Sequence, residues 1–134
     1  MKYIFSFLIF FSSLFAQEGS FLDNEHHLEW QDTQSAQEKE EKWSMSRSYC
    51  RSLKLAGHRD WRLPTISELQ SIILVVQNPS DEKKFQYSNE NDYWTSEEFK
   101  EDDSEAWAIH MRSGHLFHND KCDTSHVRCV RTTF

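Results

Sequence analysis

Apolar residues recur at helical spacing in the first half of the chain. From Glu38 onwards, Trp43, Arg47 and Cys50 lie three to four residues apart, and Gly57 follows as a C-terminal cap. Side chains at this spacing share one face of a helix. The pattern therefore predicts a first helix with Cys50 on its core side.

A second helix is predicted to begin at Thr65. Thr65 is a good N-cap, and Glu68 three residues later completes a capping box. The stripe behind it comprises Ile66, Leu69, Ile72, Ile73 and Val76, and the pair at 78–79 (NP) ends it. We interpret the stripe as core.

The remaining apolar residues predict short strands. The predicted strands are residues 28–30, residues 93–96, a hairpin in which Trp107, Ile109 and Met111 alternate with polar or small residues before a turn at 113–114, and residues 127–131. Two early helices followed by a run of strands predict an α+β fold. No internal repeat accompanies them.

The first 16 residues have the pattern of a signal peptide. Lys2 supplies a positive charge, residues 3–15 are almost wholly apolar, and Ala16 precedes a polar segment. The apolar run of about 13 residues is shorter than the about 20 that cross a bilayer as a helix. We predict cleavage after Ala16, export to the periplasm or beyond, and no membrane span in the mature chain.

The mature chain has the length of one domain. Cleavage leaves about 118 residues, which normally form a single core. We expect residues 17–26 to be loose and residues 27–134 to form the domain. The net charge of −7 disfavours nucleic acid and sulphated polysaccharide as partners, unless a local basic patch is present.

Three cysteines lie in this exported chain, at Cys50, Cys122 and Cys129. An oxidising compartment favours one disulfide between them, and three pairings are open. A bridge between Cys50 and Cys129 would close a loop of about 80 residues and stabilise by roughly 4 to 5 kcal/mol in the chain-entropy model. One thiol is left over in every pairing.

Several motifs together resemble a known bacterial family. They include LEWQD at 28–32, LAGHRDWRLPT at 55–65, YWTS at 93–96 and VRCVR at 127–131. In this order and combination they resemble the Lcl C-terminal domain family of exported bacterial proteins. The resemblance covers nearly the whole mature chain. It implies a C-type-lectin-like fold, with two helices around a small antiparallel sheet with long loops.

The resemblance also assigns structural roles. It implies that Cys50 on the first helix is bridged to Cys129 on the last strand, which leaves Cys122 as a free thiol. The residues that we interpret as the structural framework are Trp30, Trp43, Asp60, Trp61, Arg62, Pro64, Trp94, Trp107 and Arg128. Tryptophan can stack on a sugar, but we expect these five to be mostly core. Asp60 and Arg62 are expected to form an ion pair that fixes the loop around Trp61.

No metal site stands out in the sequence. The triplets that calcium-dependent lectins use are missing, and the nearest substitutes are acids at 91–92, 102–105 and 119–120, which are usually solvated in loops. His115, His118, Cys122 and His126 carry zinc-type ligands, but in a strand His115 and His118 point to opposite faces. We therefore predict no metal and no cofactor.

No catalytic arrangement stands out either. The sequence contains no nucleophile with an evident base, no glycine-rich phosphate loop and no paired carboxylates above chance. The leading hypothesis is a non-enzymatic, lectin-like interaction module that contacts a protein or glycan at the bacterial cell envelope. Its contact loops would be residues 86–91, 97–105 and 119–126. The alternative is a structural or assembly subunit, a homodimer linked through Cys122.

Overall fold

The computed structural model describes residues 19–77 and 85–134. Within these ranges the helices are α1 (Gln34–Glu38), α2 (Trp43–Ser52), α3 (Ile66–Ser71) and α4 (Ile73–Gln77). The strands are β1 (Ser20–Asp23), β2 (Leu28–Gln31), β3 (Glu40–Glu41), β4 (Asp92–Glu98), β5 (Glu105–His110), β6 (His115–Asp120), β7 (Ser125–His126) and β8 (Val130–Thr132). The fold is α+β, as predicted.

The strands form two sheets. The smaller sheet has the order β1-β2-β8, and both of its pairings are antiparallel. The larger sheet has the order β3-β7-β4-β5-β6 and is antiparallel apart from the β4–β7 pairing, where Tyr93 lies opposite His126. Because β8 follows β7 after three residues, the end of the chain connects the two sheets.

The prediction of a loose segment at residues 17–26 is wrong for Ser20–Asp23. These residues form β1, which pairs with β2. Phe21 packs against the core, with its ring 4.6 Å from that of Phe85. A four-residue strand beside charged neighbours gives little periodic signal, so tertiary contacts decide its structure. The predicted signal peptide and its cleavage site lie outside the described residues.

The first helix is shorter than predicted. Residues 34–38 form a separate turn of helix, and Glu40–Glu41 pair with Ser125–His126 as a strand. α2 ends at Ser52, because Leu53 adopts an extended conformation. Gly57, the predicted cap, instead lies with a positive φ of 77° in the turn between Leu55 and His58.

The second helix begins as predicted and is divided in two. Thr65 Oγ1 accepts a hydrogen bond from the Glu68 amide, and Glu68 Oε1 accepts one from the Thr65 amide, so the capping box is confirmed. The helix is interrupted at Ile72 (φ −100°, ψ 0°). Leu69, Ile72 and Val76 are buried, as the stripe predicts. The predicted stop at 78–79 lies outside the described residues.

Two apolar clusters form the core. One packs α3 and α4 against both sheets and contains Leu28, Trp30, Leu69, Ile72, Tyr93, Ile109 and Val130 among its members. The other surrounds the disulfide and contains Trp43, Cys50, Trp61, Trp94, Ala106, Ala108 and Cys129 among its members. The Cys50–Cys129 bridge is confirmed, with Cα atoms 5.5 Å apart. It joins α2 to the segment before β8.

Candidate functional site

Trp107 lies in the middle of β5 and belongs to neither of the two apolar clusters of the described residues. Its neighbours Ala106 and Ala108 are fully buried in the cluster around the disulfide. Because strand residues alternate between faces, Trp107 points the other way, as Ile109 does. Ile109 is buried in the cluster that includes Leu69, Ile72 and Val76, whereas Trp107 is partly exposed. The sheet therefore presents one indole near its end.

Phe99 and His118 complete an aromatic cluster with Trp107. His118 lies opposite Trp107 on β6, and Phe99 follows the end of β4. The Phe99 and His118 rings stack with centroids 3.8 Å apart, and Trp107 meets each of them edge-on at 5.3 Å. His118 Nδ1 is 3.1 Å from Glu105 Oε2, which fixes the imidazole. The cluster is thus preformed and half open to solvent.

A groove of about 460 Å³ runs beside this cluster. We call it the loop groove, and it is lined by Glu97, Glu98, Lys100, Glu101 and Trp107. Three glutamate side chains and one lysine side chain give the groove a net negative charge. Its carboxylates accept hydrogen bonds, and its indole offers a flat apolar surface. These groups suit recognition of a polar partner with apolar patches.

Two of the three predicted contact loops, residues 97–105 and 119–126, contact each other beside the loop groove. The Lys121 amide donates to the carbonyl oxygen of Ser104 at 2.8 Å, and Glu105 pairs with Asp120 across the two strands. Lys121 Nζ also lies 3.7 Å from a carboxylate oxygen of Glu98. The loops 97–105 and 119–124 are therefore one connected surface. Within it, hydrogen bonds from the Ser104 hydroxyl and amide hold the pKa of Asp102 below its ordinary value.

The third predicted contact loop, residues 86–91, lies elsewhere. It precedes β4, whereas residues 97–105 follow it, so the two loops are at opposite ends of that strand. The carboxylate of Asp32 accepts hydrogen bonds from the amides of Gln86 and Tyr87, each at 2.9 Å. Asn89 is bound to the Gln37 carbonyl. These contacts indicate a structural role for this loop.

The predicted Asp60–Arg62 ion pair is wrong, because each residue has another partner. Asp60 Oδ1 accepts a hydrogen bond from Arg131 Nε at 2.7 Å, and this bond lowers the pKa of Asp60. Arg62 donates two hydrogen bonds to Glu68, at 2.7 and 2.8 Å. The two side chains next to Trp61 thus bind different elements: Asp60 binds β8 and Arg62 binds α3.

Arg128 is a buried cation at the centre of the framework. It donates to the carbonyl oxygens of Gln31 and Tyr87, and its guanidinium lies 4.2 Å from the centroid of the Phe85 ring. Desolvation lowers its pKa below the ordinary arginine value, and the nearby Tyr93 and Asp32 oppose this. Arg128 therefore fastens β2 and the 86–91 loop to the end of the chain.

Sequence reasoning missed the buried polar residues of β2. Glu29 is 1% exposed, and its carboxylate accepts hydrogen bonds from Arg131 Nη1 at 2.8 Å and from the Ser20 hydroxyl at 2.7 Å. Gln31 is fully buried and accepts a hydrogen bond from the Cys129 amide. Both residues belong to the LEWQD motif, but a polar residue in a short strand looks solvent-facing from its sequence alone.

Four of the five tryptophans are buried, as expected, and the fifth is Trp107. The indole N–H groups of Trp43, Trp61 and Trp94 donate to backbone carbonyl oxygens of Thr95, Leu55 and Glu41. These bonds satisfy the polar atoms of three buried rings, whereas the buried indole nitrogen of Trp30 has no partner in the described residues. Pro64 is buried too, and its carbonyl oxygen accepts from the Ser96 amide.

The His and Cys residues at 115–126 are not brought together. His118 contacts Glu105, whereas His126 packs on Tyr93, with its Nδ1 3.9 Å from Glu40. The Cys122 thiol is exposed and free within the described chain. Of the acids considered for calcium, Asp92 pairs with His110 at the far end of β4. Residues 19–77 and 85–134 contain no group of three or more such ligands placed to hold a metal ion.

Comparison with known families agrees with the motifs. A family model described as the Lcl C-terminal domain matches residues 19–131. The chain belongs to this family. The match begins at β1, so the Lcl C-terminal domain includes the strand that the sequence motifs did not indicate. No curated protein matches the chain. None of the helices in the described part of this Lcl C-terminal domain is long and apolar enough to span a membrane.

Proposed function

We propose that this Lcl C-terminal domain is an exported, non-enzymatic interaction module with a C-type-lectin-like fold. It binds a protein or glycan at the bacterial cell envelope through the loop groove and the aromatic cluster. The observation that carries the proposal is the position of Trp107. It is the one tryptophan of the described chain that is not buried, and it lines a groove.

Contacts between the loops at 97–105 and 119–126 support binding without large rearrangement. Lys121 connects both loops, and the contact between His118 and Glu105 holds the aromatic cluster in place. A preformed surface loses little conformational entropy when a partner docks. Partly exposed aromatic side chains are also the residues that most often contribute large binding energies at interfaces.

The chemistry of the groove supports recognition over catalysis. Its lining groups are carboxylates, one ammonium and one indole. A pair of carboxylates could in principle serve as acid and base, but two of the groove carboxylates already have other contacts. Glu97 accepts a hydrogen bond from the Ile66 amide at 2.8 Å, and Glu98 lies 3.7 Å from Lys121 Nζ.

A binding screen tests the proposal. The purified protein is applied to a glycan array and to immobilised envelope proteins, and Trp107→Ala is compared with the wild type. We expect at least one partner, whose binding Trp107→Ala weakens by about tenfold or more. Phe134→Ala is the matched control, since Phe134 is an aromatic residue that is 89% exposed and lies outside the groove.

A second variant separates loss of binding from loss of folding. Glu101 is exposed on the groove, so Glu101→Lys changes the charge of the site without disturbing the core. We expect it to weaken the same interaction while the circular dichroism spectrum stays that of the wild type. Partners that bind both variants as tightly as the wild type would rule out the groove as the site.

One observation favours a second candidate, an assembly subunit linked by a disulfide. The exposed thiol of Cys122 lies two residues after the end of β6, within the predicted contact loop at 119–126. A homodimer through this residue would run at twice the mass on a non-reducing gel and would disappear in Cys122→Ser. A monomer in the native envelope under oxidising conditions would exclude this candidate.

A further inference from the structure

An arginine-lined pocket of about 320 Å³ lies apart from the aromatic cluster. We call it the arginine pocket, and its lining residues are Arg47, Arg51, Arg62, Leu63, Thr65 and Ser96. It is a basic site in a protein whose net charge is −7. Guanidinium groups that no carboxylate neutralises repel each other around a cavity unless an anion is present. A ligand therefore offers the most direct reason for their arrangement.

Two of these arginines carry charge that no carboxylate neutralises. Arg47 and Arg51 are four residues apart on α2, so they lie on one face of the helix. Within the described residues neither forms an ion pair, and Arg47 only lies over the Trp43 ring at 4.8 Å. That contact covers one face of the guanidinium and leaves its N–H edge for a ligand.

Arg62 differs from the other two, because Glu68 neutralises it. Its Nη1 and Nη2 donate to both carboxylate oxygens of Glu68, so its position is fixed. The hydrogen bond from Arg62 opposes the effect of burial and leaves the pKa of Glu68 below its ordinary value. Both groups therefore stay charged at neutral pH and contribute no net charge to the pocket. Arg62 therefore lines the pocket in a fixed position and does not add to its net charge.

Hydroxyl groups complete the lining. Thr65 Oγ1 accepts from the Glu68 amide, and the Thr65 side chain also helps to lower the pKa of the Glu68 carboxylate. The Ser96 hydroxyl has no hydrogen-bond partner among the described residues, although the Ser96 amide is bound to Pro64. Two other carboxylates have their own contacts: Asp60 binds Arg131, and Glu97 accepts a hydrogen bond from the Ile66 amide at 2.8 Å and lines the loop groove.

We propose that the arginine pocket binds a phosphate monoester group. Two unneutralised guanidiniums match its charge of about −1.5 to −2 at pH 7, and its three terminal oxygens accept from guanidinium N–H and hydroxyl donors together. A carboxylate or a sulfate monoester carries a single charge and satisfies only half of this cationic excess. The site is independent of the interaction proposed for the loop groove.

Two probes test whether the arginine pocket binds phosphate and distinguish a free phosphate ester from a lipid headgroup. Glycerol 3-phosphate is titrated into the protein by isothermal titration calorimetry at fixed ionic strength, and phosphatidic acid is presented in phosphatidylcholine vesicles in a sedimentation assay. Saturable binding of the first indicates a free phosphate ester as the ligand. Binding of the vesicles alone indicates a lipid headgroup. Either result supports the phosphate site, and binding of neither overturns it.

Variants show whether the pocket is responsible. Arg47→Gln and Arg51→Gln should each weaken binding by about tenfold or more, because each removes a charge-assisted hydrogen bond. Arg112→Gln is the matched control, since its side chain is 78% exposed on the β5–β6 turn, and it should change affinity by less than about twofold. Equal losses in all three variants would reveal nonspecific attraction and overturn the proposal. So would methyl sulfate or acetate binding as tightly as glycerol 3-phosphate.

Discussion

Arg128 shows how much of this fold depends on single buried charges. Its guanidinium is 2% exposed and donates to carbonyl oxygens from two separate segments. A buried charge is tolerated only when its hydrogen bonds are made with good geometry. The VRCVR motif therefore specifies tertiary contacts as well as a strand. Its first arginine, Arg128, binds the Gln31 carbonyl oxygen in β2. Its second, Arg131, binds the carboxylates of Glu29 and Asp60.

Arg128→Lys should lower the free energy of unfolding by about 2 kcal/mol or more. Lysine keeps the charge but loses the planar fork that reaches both carbonyl oxygens, and its desolvation is more costly. Urea denaturation followed by fluorescence measures the loss. Arg112→Lys, on an exposed turn, should change stability by less than about 0.5 kcal/mol. Equal effects of the two substitutions would contradict the role given to Arg128.

The contacts of single residues also explain why the sequence predicts some site residues and not others. The sequence identified the five tryptophans, yet nothing in it separated Trp107 from the buried four. That difference arises from tertiary packing, because the four buried tryptophans belong to the two apolar clusters and Trp107 belongs to neither. Likewise, the partners of Asp60 and Arg62 come from β8 and α3, and residue spacing cannot choose between them.

At the scale of elements, strong local signals were the most informative. The capping box at Thr65 predicted the start of α3, and the turn at Gly114, with φ of 74°, joins β5 to β6 as expected. Segments with a weak local pattern were predicted wrongly. Ser20–Asp23 and Glu40–Glu41 form strands because neighbouring strands supply their hydrogen bonds. Those partners are distant in sequence and therefore invisible to local periodicity.

Glu68 makes the stability of α3 depend on pH. Burial raises its pKa, but hydrogen bonds from Arg62 and Thr65 outweigh burial and leave the folded pKa below the ordinary 4.5. The carboxylate therefore stabilises the fold fully above pH 4.5, and this contribution is lost as the pH falls through the folded pKa.

Glu68→Gln should consequently be less stable than the wild type by about 1 kcal/mol at pH 7. The difference should shrink towards zero as the pH is lowered below 4.5. Thermal denaturation of both proteins between pH 7 and pH 3 checks this trend. A gap that is constant across this range would show that the charge of Glu68 does not contribute.

At the scale of the whole molecule, the disulfide closes the domain. Cys50 and Cys129 are 79 residues apart, and both are fully buried beside Trp61 and Trp94. The double variant Cys50→Ser, Cys129→Ser should lose about 4 to 5 kcal/mol of stability through the entropy of the unfolded chain. Guanidinium denaturation measures the loss. Cys122→Ser is the control and should unfold as the wild type does, because its thiol is exposed and free in the described chain.

The candidate site is also a property of the whole molecule. The sequence named the loops at 97–105 and 119–126, but only the register of β5 with β6 places His118 opposite Trp107. The bulge in β4 between Trp94 and Glu98 then precedes Phe99, which stacks on His118. The groove exists because these three strands end together, which no local pattern encodes.

Contact between a partner and Trp107 is the central feature of the proposed binding face. The measurement is a titration of the ¹⁵N-labelled protein with the partner that binds most tightly in the screen, followed through the indole N–H signals of its five tryptophans. We predict that the Trp107 signal shifts most, together with the amides of Phe99 and His118. A partner that binds while the Trp107 signal stays unchanged would contradict the proposed binding face.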